Sequence, residues 1–379
     1  MVAMRDQRQQ SNKGYADVAN ALLDDIRSGK YPPERAFPSL TAIMRRFGVT
    51  RVTAARAVDE LRRRGAVSTK SGSGSRVRNR SIGLILPGLA YSEVFQPILA
   101  RLSALCRRNG YSLIFGGAFS GTPEECAREA SDLAVSLVEQ HVSGVILQPV
   151  TRCDGAAESN RAIVSTFTEA HIPVVLIDYD IALSSGRSDY DMVGINNFEA
   201  GRQMGAHLLE RGARRIAFLV HPNASASVAL RYAGVAAAVA AAPTPAKQKP
   251  KSPRKKAPLP CEVFRLDAEP DDADAVGSAL RRNRPDAFVC GNDKVAARLH
   301  QTLSALGRRV PDDIMLAGFD DIQIARAMTP QLTTMHQPCE DIATTAFRAL
   351  LERIANPALP PRDIFLSAPL VARESTARR

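Results

Sequence analysis

Thr50, Arg51 and Thr53 stand within one turn of each other at the start of a short segment with helical apolar spacing. Hydroxyls at the N-terminal end of a helix can bond phosphates beside the positive end of the helix dipole. An arginine there can offer two donors to guanine O6 and N7, or clamp a phosphate. Farther along, Asp178, Arg231, Asn292 and Asp320 fall just past the ends of expected strands. The chain has no Ser-His-Asp arrangement and no metal constellation, and no Gly-Lys-Ser/Thr follows its one Gly/Ser-rich loop, which excludes a Walker motif. The six cysteines, Cys106, Cys126, Cys153, Cys261, Cys290 and Cys339, are scattered without a C-x-x-C pair. Reduced thiols are expected, rather than a disulfide framework or a zinc site. The reading is of a binding protein, not an enzyme, with no cofactor.

The elements that must position Arg51 can be read from spacing. Tyr15, Val18, Ala19, Leu22 and Ile26 share one face of a first helix that Gly29 ends. Ser39 is the expected N-cap of a second, in which Leu40, Ile43, Met44 and Phe47 recur at i, i+3, i+4 and i+7. Gly48 suits a left-handed C-cap. Only Val49 separates it from Thr50, the expected N-cap of a third helix with core face Ala54, Ala57, Val58 and Leu61. Two short helices joined by a tight glycine turn form the helix-turn-helix pattern, and the third helix would enter the major groove. Arg62, Arg63 and Arg64 are placed for backbone contact. Ala66-Val67-Ser68-Thr69 and Ser75-Arg76-Val77 read as two strands joined by Lys70-Ser71-Gly72-Ser73-Gly74. This is a wing whose small residues let the backbone approach the minor groove, with charge from Lys70 and Arg76.

Charge supports a polyanionic partner for this region. The net charge is +11, of which +10 lies in residues 1–80 and +6 in residues 243–260, so the remainder is acidic.

The Tyr15 helix, Ser28-Gly29-Lys30-Tyr31-Pro32, Phe37-Pro38-Ser39, Phe47-Gly48-Val49-Thr50-Arg51, Thr53, Leu61, Gly65 and Gly72-Ser73-Gly74 together resemble the GntR family of winged-helix repressors. The resemblance covers nearly all of residues 14–77. It implies contact with a double-stranded DNA operator through Ser39, Thr50, Arg51, Thr53, Arg56, Lys70, Gly72, Ser73, Gly74 and Arg76. Two positions depart from the family pattern. Leu40 replaces the frequent Glu after Pro-Ser, and Ala55 replaces an arginine of the recognition helix. Arg56 is adjacent but points about 100° away around the helix, so the family's operator sequence does not carry over.

From Ser81 strands and helices alternate. Ile82-Gly83-Leu84-Ile85-Leu86 reads as a buried parallel strand. Strands follow at 111–115, 144–147 and 173–177, with helices through Leu102 and over 123–140 and 160–170. A second series starts near Val193, with helices over 198–211, 228–241, 271–282 and 293–306 and strands over 215–220, 261–266, 287–290 and 314–318. The expected class is α/β, a winged helix-turn-helix followed by two doubly wound parallel-sheet lobes, with a ligand cleft between the lobes.

Several motifs carry a second resemblance: Val142-Ser143-Gly144-Val145-Ile146, Ile172 through Asp178, Val193-Gly194-Ile195-Asn196-Asn197 with Gly201 and His207-Leu208, Arg231-Tyr232-Ala233-Gly234, Cys290-Gly291-Asn292-Asp293, Val310-Pro311-Asp312-Asp313, Gly318-Phe319-Asp320-Asp321 and Leu332 through Pro338. Over about residues 81–376 the chain resembles the LacI/GalR-family sensor, which is periplasmic-binding-protein-like. The whole layout is similar to that of arabinose-repressor-type regulators. The resemblance implies a small polar effector, usually a sugar, held by Asp178, Arg231, Asn292 and Asp320, with Gln337 at a lobe crossover and Tyr91 and Phe95 stacking on an apolar sugar face. Asp293 and Asp321 read as caps or lobe bridges.

The expected boundaries are a disordered 1–13, the head 14–77, a linker 78–80, lobe one at about 81–195 and 338–364, and lobe two at about 196–334 and 365–376. Residues 243–260, with six basic residues and six prolines, read as a disordered surface loop. A homodimer on a pseudo-palindromic operator is implied. No run of about 18 apolar residues indicates a membrane span, and the first residues lack the apolar core of a secretory signal, so a cytoplasmic setting is expected.

Overall fold

A computed structural model describes residues 14–27, 30–31, 37–70, 74–77, 80–87, 93–116, 122–151, 153–182, 186–222, 224–242 and 261–377. The expectations for residues 1–13, Gly72, Ser73, Tyr91, most of the 78–80 linker and the basic loop 243–260 lie outside these residues.

The first unit packs α1 (Tyr15–Arg27), α2 (Leu40–Phe47) and α3 (Arg51–Arg63) against a two-stranded wing, β1 (Val67–Lys70) and β2 (Gly74–Val77). Ser39 Oγ accepts from Ala42 N at 3.2 Å, capping α2. Gly48 closes α2 at φ +66°, a conformation that favours glycine. Thr50 Oγ1 then accepts from Thr53 N at 3.3 Å and starts α3. Leu22, Ile43, Ala54, Ala57, Leu61 and Ala66 meet in one buried core. Burying a leucine or isoleucine contributes about 1.5–3 kcal/mol. β1 and β2 pair antiparallel with Val67 opposite Val77, which seats the wing on that core.

The first lobe contains β3 (Ser81–Ile85), α4 (Phe95–Arg108), β4 (Ser112–Gly116), α5 (Pro123–Glu139), β5 (Gly144–Leu147), α6 (Ala156–Glu169), β6 (Val174–Ile177) and β7 (Asp191–Ile195). The second is built from α7 (Asn197–Glu210), β8 (Arg215–Val220), α8 (Ala226–Ala241), β9 (Glu262–Asp267), α9 (Ala273–Arg282), β10 (Ala287–Cys290), α10 (Asp293–Ala305), β11 (Met315–Asp320), α11 (Gln323–Ala327) and β12 (Thr333–His336). The chain then returns to the first lobe through α12 (Cys339–Ala355) and β13 (Asp363–Leu366), and back to the second through β14 (Leu370–Val371). Sheet orders are β13-β7-β6-β5-β3-β4 and β14-β12-β11-β10-β8-β9. Every pairing in these two sheets is parallel except β14 on β12. Strands such as β5 and β10 are buried at every residue, as sheets covered on both faces require.

Two expectations are corrected. The strand at Val193 does not open the second series; β7 lies inside the first sheet, between β6 and β13, and the second sheet begins at β8. The return segment of the first lobe runs to Leu366, because Phe365 and Leu366 pair with Gly194 and Ile195. The final strands were not legible individually. β13 and β14 are short and half-exposed and carry little local signal.

α7 and α8 pack at backbone contact. A Cβ on Gly201 would lie 2.1 Å from the Arg231 carbonyl oxygen, and one on Gly234 would lie 2.0 Å from that of Phe198. Glycine at both points lets α8 carry Arg231 to its place. On the first lobe, buried Asp191 receives Arg353 Nη2 at 2.8 Å and Arg362 Nη2 at 3.0 Å, fastening α12 and the approach to β13 onto β7.

Candidate functional site

The head presents Thr50, Arg51 and Arg56 as exposed residues on α3, with Thr53 half-buried. The two threonine hydroxyls lie 3.0 Å apart. Thr50 therefore serves the helix cap, and Arg51 is the exposed donor beside it. Arg76 is exposed on β2, and Lys70 stands opposite Gly74 in the wing register. Ser39 is exposed, with its hydroxyl engaged in capping α2. The arginines expected at the DNA backbone also form pairs within the head. Arg62 pairs with Asp59 at 2.9 Å, Arg63 and Arg64 both bind Glu60, and Arg64 Nη1 reaches Asn20 at 2.8 Å. The pairs with Asp59 and Glu60 join acids one turn away on the same helix, an i,i+3 and i,i+4 arrangement.

Between the lobes lies a cavity of about 350 Å³. Phe95, Asp178, Arg231, Asn292, Asp320 and Gln337 all line it. Asp178 follows β6 at φ +79°, and Asp320 ends β11 at φ +107°. Non-glycine residues adopt such angles at a cost of order 1–3 kcal/mol, and here they turn the chain sharply where strands end at the cleft.

Arg231 is 4% exposed. Its Nε donates to Asn197 Oδ1 at 2.9 Å, and its Nη1 donates to Gly291 O at 2.7 Å and Asp320 Oδ1 at 3.3 Å. The guanidinium lies 4.7 Å from the Phe319 ring centroid, a cation–π contact. Burial raises the Asp320 carboxyl above the ordinary carboxylate range, and Arg231 opposes the shift. Asn292 caps α10 by accepting from Val295 N at 2.9 Å, which leaves its amide N–H donors for another partner. Phe95 is 4% exposed yet reaches the cavity wall.

Asp293 and Asp321 hold the fold around the site. Asp293, fully buried, accepts from Thr334 Oγ1 at 2.7 Å and Ile322 N at 3.1 Å. Asp321 gathers Arg373 at 2.5 Å, Arg326 at 3.0 Å and His336 at 3.1 Å.

The cavity also takes in Gln148, His221, Ser225, Ser227, Lys294 and Arg298, which sequence reasoning missed. A signal existed for two of them. Gln148 and His221 are the first residues past β5 and β8, the same register as Asp178 past β6. The basic side chains at the rim are paired. His221 and Arg298 bind Glu269 at 3.1 and 3.3 Å, Arg298 binds Asp271 at 2.7 Å, and Lys294 reaches Glu93 of the first lobe at 3.5 Å. Among the described residues, no group of three or more His, Cys, Asp or Glu is arranged to hold a metal ion. No described helix is long and apolar enough to cross a membrane.

Residues 14–77 match the model of the gntR family of bacterial regulatory proteins, and residues 206–376 match the periplasmic binding protein-like domain. The HTH-type transcriptional repressor PurR of Shigella dysenteriae serotype 1 (strain Sd197) is 31% identical over 301 residues, covering 79% of this chain and 80% of PurR. Among solved structures, the transcription regulator GntR of Chromobacterium violaceum is 26% identical with TM-score 0.60, covering 78% of this chain and all but 1% of its own. The transcriptional regulator CelR, solved as a cellobiose complex, shares the fold at 24% identity and TM-score 0.62, over 89% of this chain and 100% of CelR.

Proposed function

The chain belongs to the family of PurR and the LacI-type transcriptional repressors, carries a GntR-type DNA-binding head, and from that premise we propose that an uncharged sugar in the cleft relieves its repression. The observation that carries this reading is the buried Arg231–Asp320 pair with Asn292 beside it, lining a cavity large enough for a mono- or disaccharide. Carboxylate, amide and guanidinium groups together accept from and donate to adjacent hydroxyls. Lys294 and Arg298 at the rim each bind an acid, so a neutral ligand suits the cleft better than a phosphorylated one. CelR, with its cellobiose, supports a carbohydrate.

In this mechanism a cytoplasmic homodimer presents two heads to a pseudo-palindromic operator. Ligand bound by both lobes favours their closed arrangement and alters the spacing of the heads. The change in operator affinity is limited by the ligand's differential affinity for the two arrangements. The ligand is bound and released without turnover. The helix-turn-helix head is what separates this reading from a transport-type binding protein of the same fold.

The test is a thermal-shift panel of D-ribose, L-arabinose, D-glucose and cellobiose, followed by release of the full-length protein from its native upstream DNA. A sugar that raises the midpoint and releases DNA supports the reading. No DNA binding at any sugar concentration overturns the regulator, and chemical conversion of the bound sugar overturns the non-catalytic role.

A further inference from the structure

Val52 is 63% exposed, the highest value for a large apolar side chain among the described residues. It stands in the first turn of α3, about 160° around the helix from buried Ala54, so the core of the head gives it nothing to pack against. The helix gains nothing from it either, since a β-branched valine is a weaker helix former than alanine. Its surroundings are specific. At about 100° per residue, the outward face of α3 runs Arg51, Ala55, Val52, Arg56. Two apolar residues one turn apart therefore lie between two exposed arginines. The hydroxyls of Thr50 and Thr53 lie 3.0 Å apart, and that of Thr50 also caps α3, which commits both to the helix start. Among the described residues Arg51 and Arg56 form no ion pair, whereas Arg62, Arg63 and Arg64 do. A strip that is apolar at its centre and cationic at both edges matches a polyanion whose groove carries an apolar group. The major groove of DNA supplies one, the C5-methyl of thymine.

We propose that Val52 is a specificity-determining residue of the head, its methyl groups packing on the C5-methyl of one thymine in each operator half-site. Ala55, small where the GntR pattern has an arginine, leaves room for that base pair, while Arg51 and Arg56 take the flanking base edge and phosphates. This rests on α3 entering the major groove, and it adds a chemistry that the arginines do not supply, because cytosine and uracil present no methyl there. Neighbouring residues rise about 1.5 Å along a helix, less than the spacing of about 3.4 Å between base pairs. The thymine therefore belongs to the base pair that Arg51 meets or to the next one.

The test begins with selection of a binding site by the full-length protein from a randomised duplex library. Each thymine of the selected half-site is then replaced singly by uracil, which keeps the base pair and removes only the methyl. Binding is measured by fluorescence anisotropy for the wild type, Val52→Ser and Val52→Thr. At one position uracil should weaken the wild type about fourfold, the value of one buried methyl group. Val52→Ser should bind the thymine and uracil duplexes alike, and Val52→Thr, which keeps one methyl, should retain part of the preference. Uracil also changes DNA deformability, but that effect persists in Val52→Ser and is separated by the comparison. No uracil effect at any position, or an equal effect in the wild type and Val52→Ser, overturns the assignment while leaving the head a DNA binder. Failure to select any site overturns the DNA-binding head itself, and this assignment with it.

Discussion

The Arg231 guanidinium and the Asp320 carboxylate stand 3.3 Å apart in the wall of the cleft, their side chains 5% and 14% exposed. Arg231→Ala removes the cation paired with Asp320 and strips Asn197 and Gly291 of their donor. Breaking a buried pair from one side costs about 3–5 kcal/mol. The variant should unfold earlier and lose its sugar-induced shift, while its separately packed head still binds DNA. Arg231→Lys keeps the charge but not the fork of donors, so stability should recover in part and sugar affinity should not. Unfolding curves and sugar titrations on both variants check this, and an intact sugar response in Arg231→Ala would contradict it.

Asp293 supplies a pH dependence. Burial first, then the neighbouring Asp320 charge, push its carboxyl well above the ordinary range. A raised folded-state pKa means that the folded protein holds this proton more tightly than the unfolded chain. Its contribution is complete below the unfolded value of about 3.9 and is lost as pH rises through the folded one. Asp293→Asn cannot ionise. Its stability should therefore fall less than that of the wild type between about pH 5 and pH 8, apart from a constant loss of about 1 kcal/mol from one poorly matched amide N–H. Urea unfolding at both pH values reads the difference, and parallel behaviour of the two proteins would rule it out.

Two glycines should respond in opposite ways to alanine. At Gly201 the new Cβ would lie 2.1 Å from the Arg231 carbonyl oxygen, so α7 and α8 must separate and Arg231 must move. The expected loss is about 1–3 kcal/mol, with sugar affinity falling alongside it. At Gly277, within α9, the Cβ meets only the flexible end of Arg281 at 3.3 Å and Leu306 at 4.0 Å. That change should stabilise by roughly 0.5–1 kcal/mol, the ordinary gain of alanine over glycine inside a helix. Denaturant midpoints distinguish the two, and a gain at Gly201→Ala would refute the close helix crossing.

Much of this architecture was legible because its signals are local. The Ser39 cap, the Gly48 stop and the Thr50 restart require only a few consecutive residues, and each is present in the structure. The parallel strands announced themselves as apolar runs. What escaped depends on distant partners. β13 joins the first sheet by pairing with β7, about 170 residues earlier, and nothing within Asp363–Leu366 specifies that neighbour. Lys294 and Arg298 reach the cleft because α10 rises from it, one turn apart after the Asn292 cap. Gln148 stood in the same register as Asp178, yet only the packed lobes show it in the cleft wall.

In the head, Arg51 and Arg76 should separate base reading from backbone contact. Arg51 is exposed in the first turn of α3, beside the Thr50 cap that fixes the helix start. From that end of a recognition helix a guanidinium reaches base edges, and a bidentate guanine contact discriminates by about 1–3 kcal/mol. Arg76 is exposed on the wing strand β2, where a cation meets phosphates instead. Arg51→Ala should therefore narrow the gap between the native upstream DNA and a scrambled duplex. Arg76→Ala should weaken both alike and lower the salt slope of binding by about one unit. Both should keep the sugar-induced thermal shift, because neither touches the lobes. Thr50→Ala differs from both: it should cost the head about 0.5–2 kcal/mol of stability through loss of the cap. Fluorescence anisotropy at two salt concentrations, on both duplexes, reads these outcomes together. Equal weakening of specific and scrambled binding in Arg51→Ala would move that arginine from the base edges to the phosphates and leave sequence reading to the rest of α3.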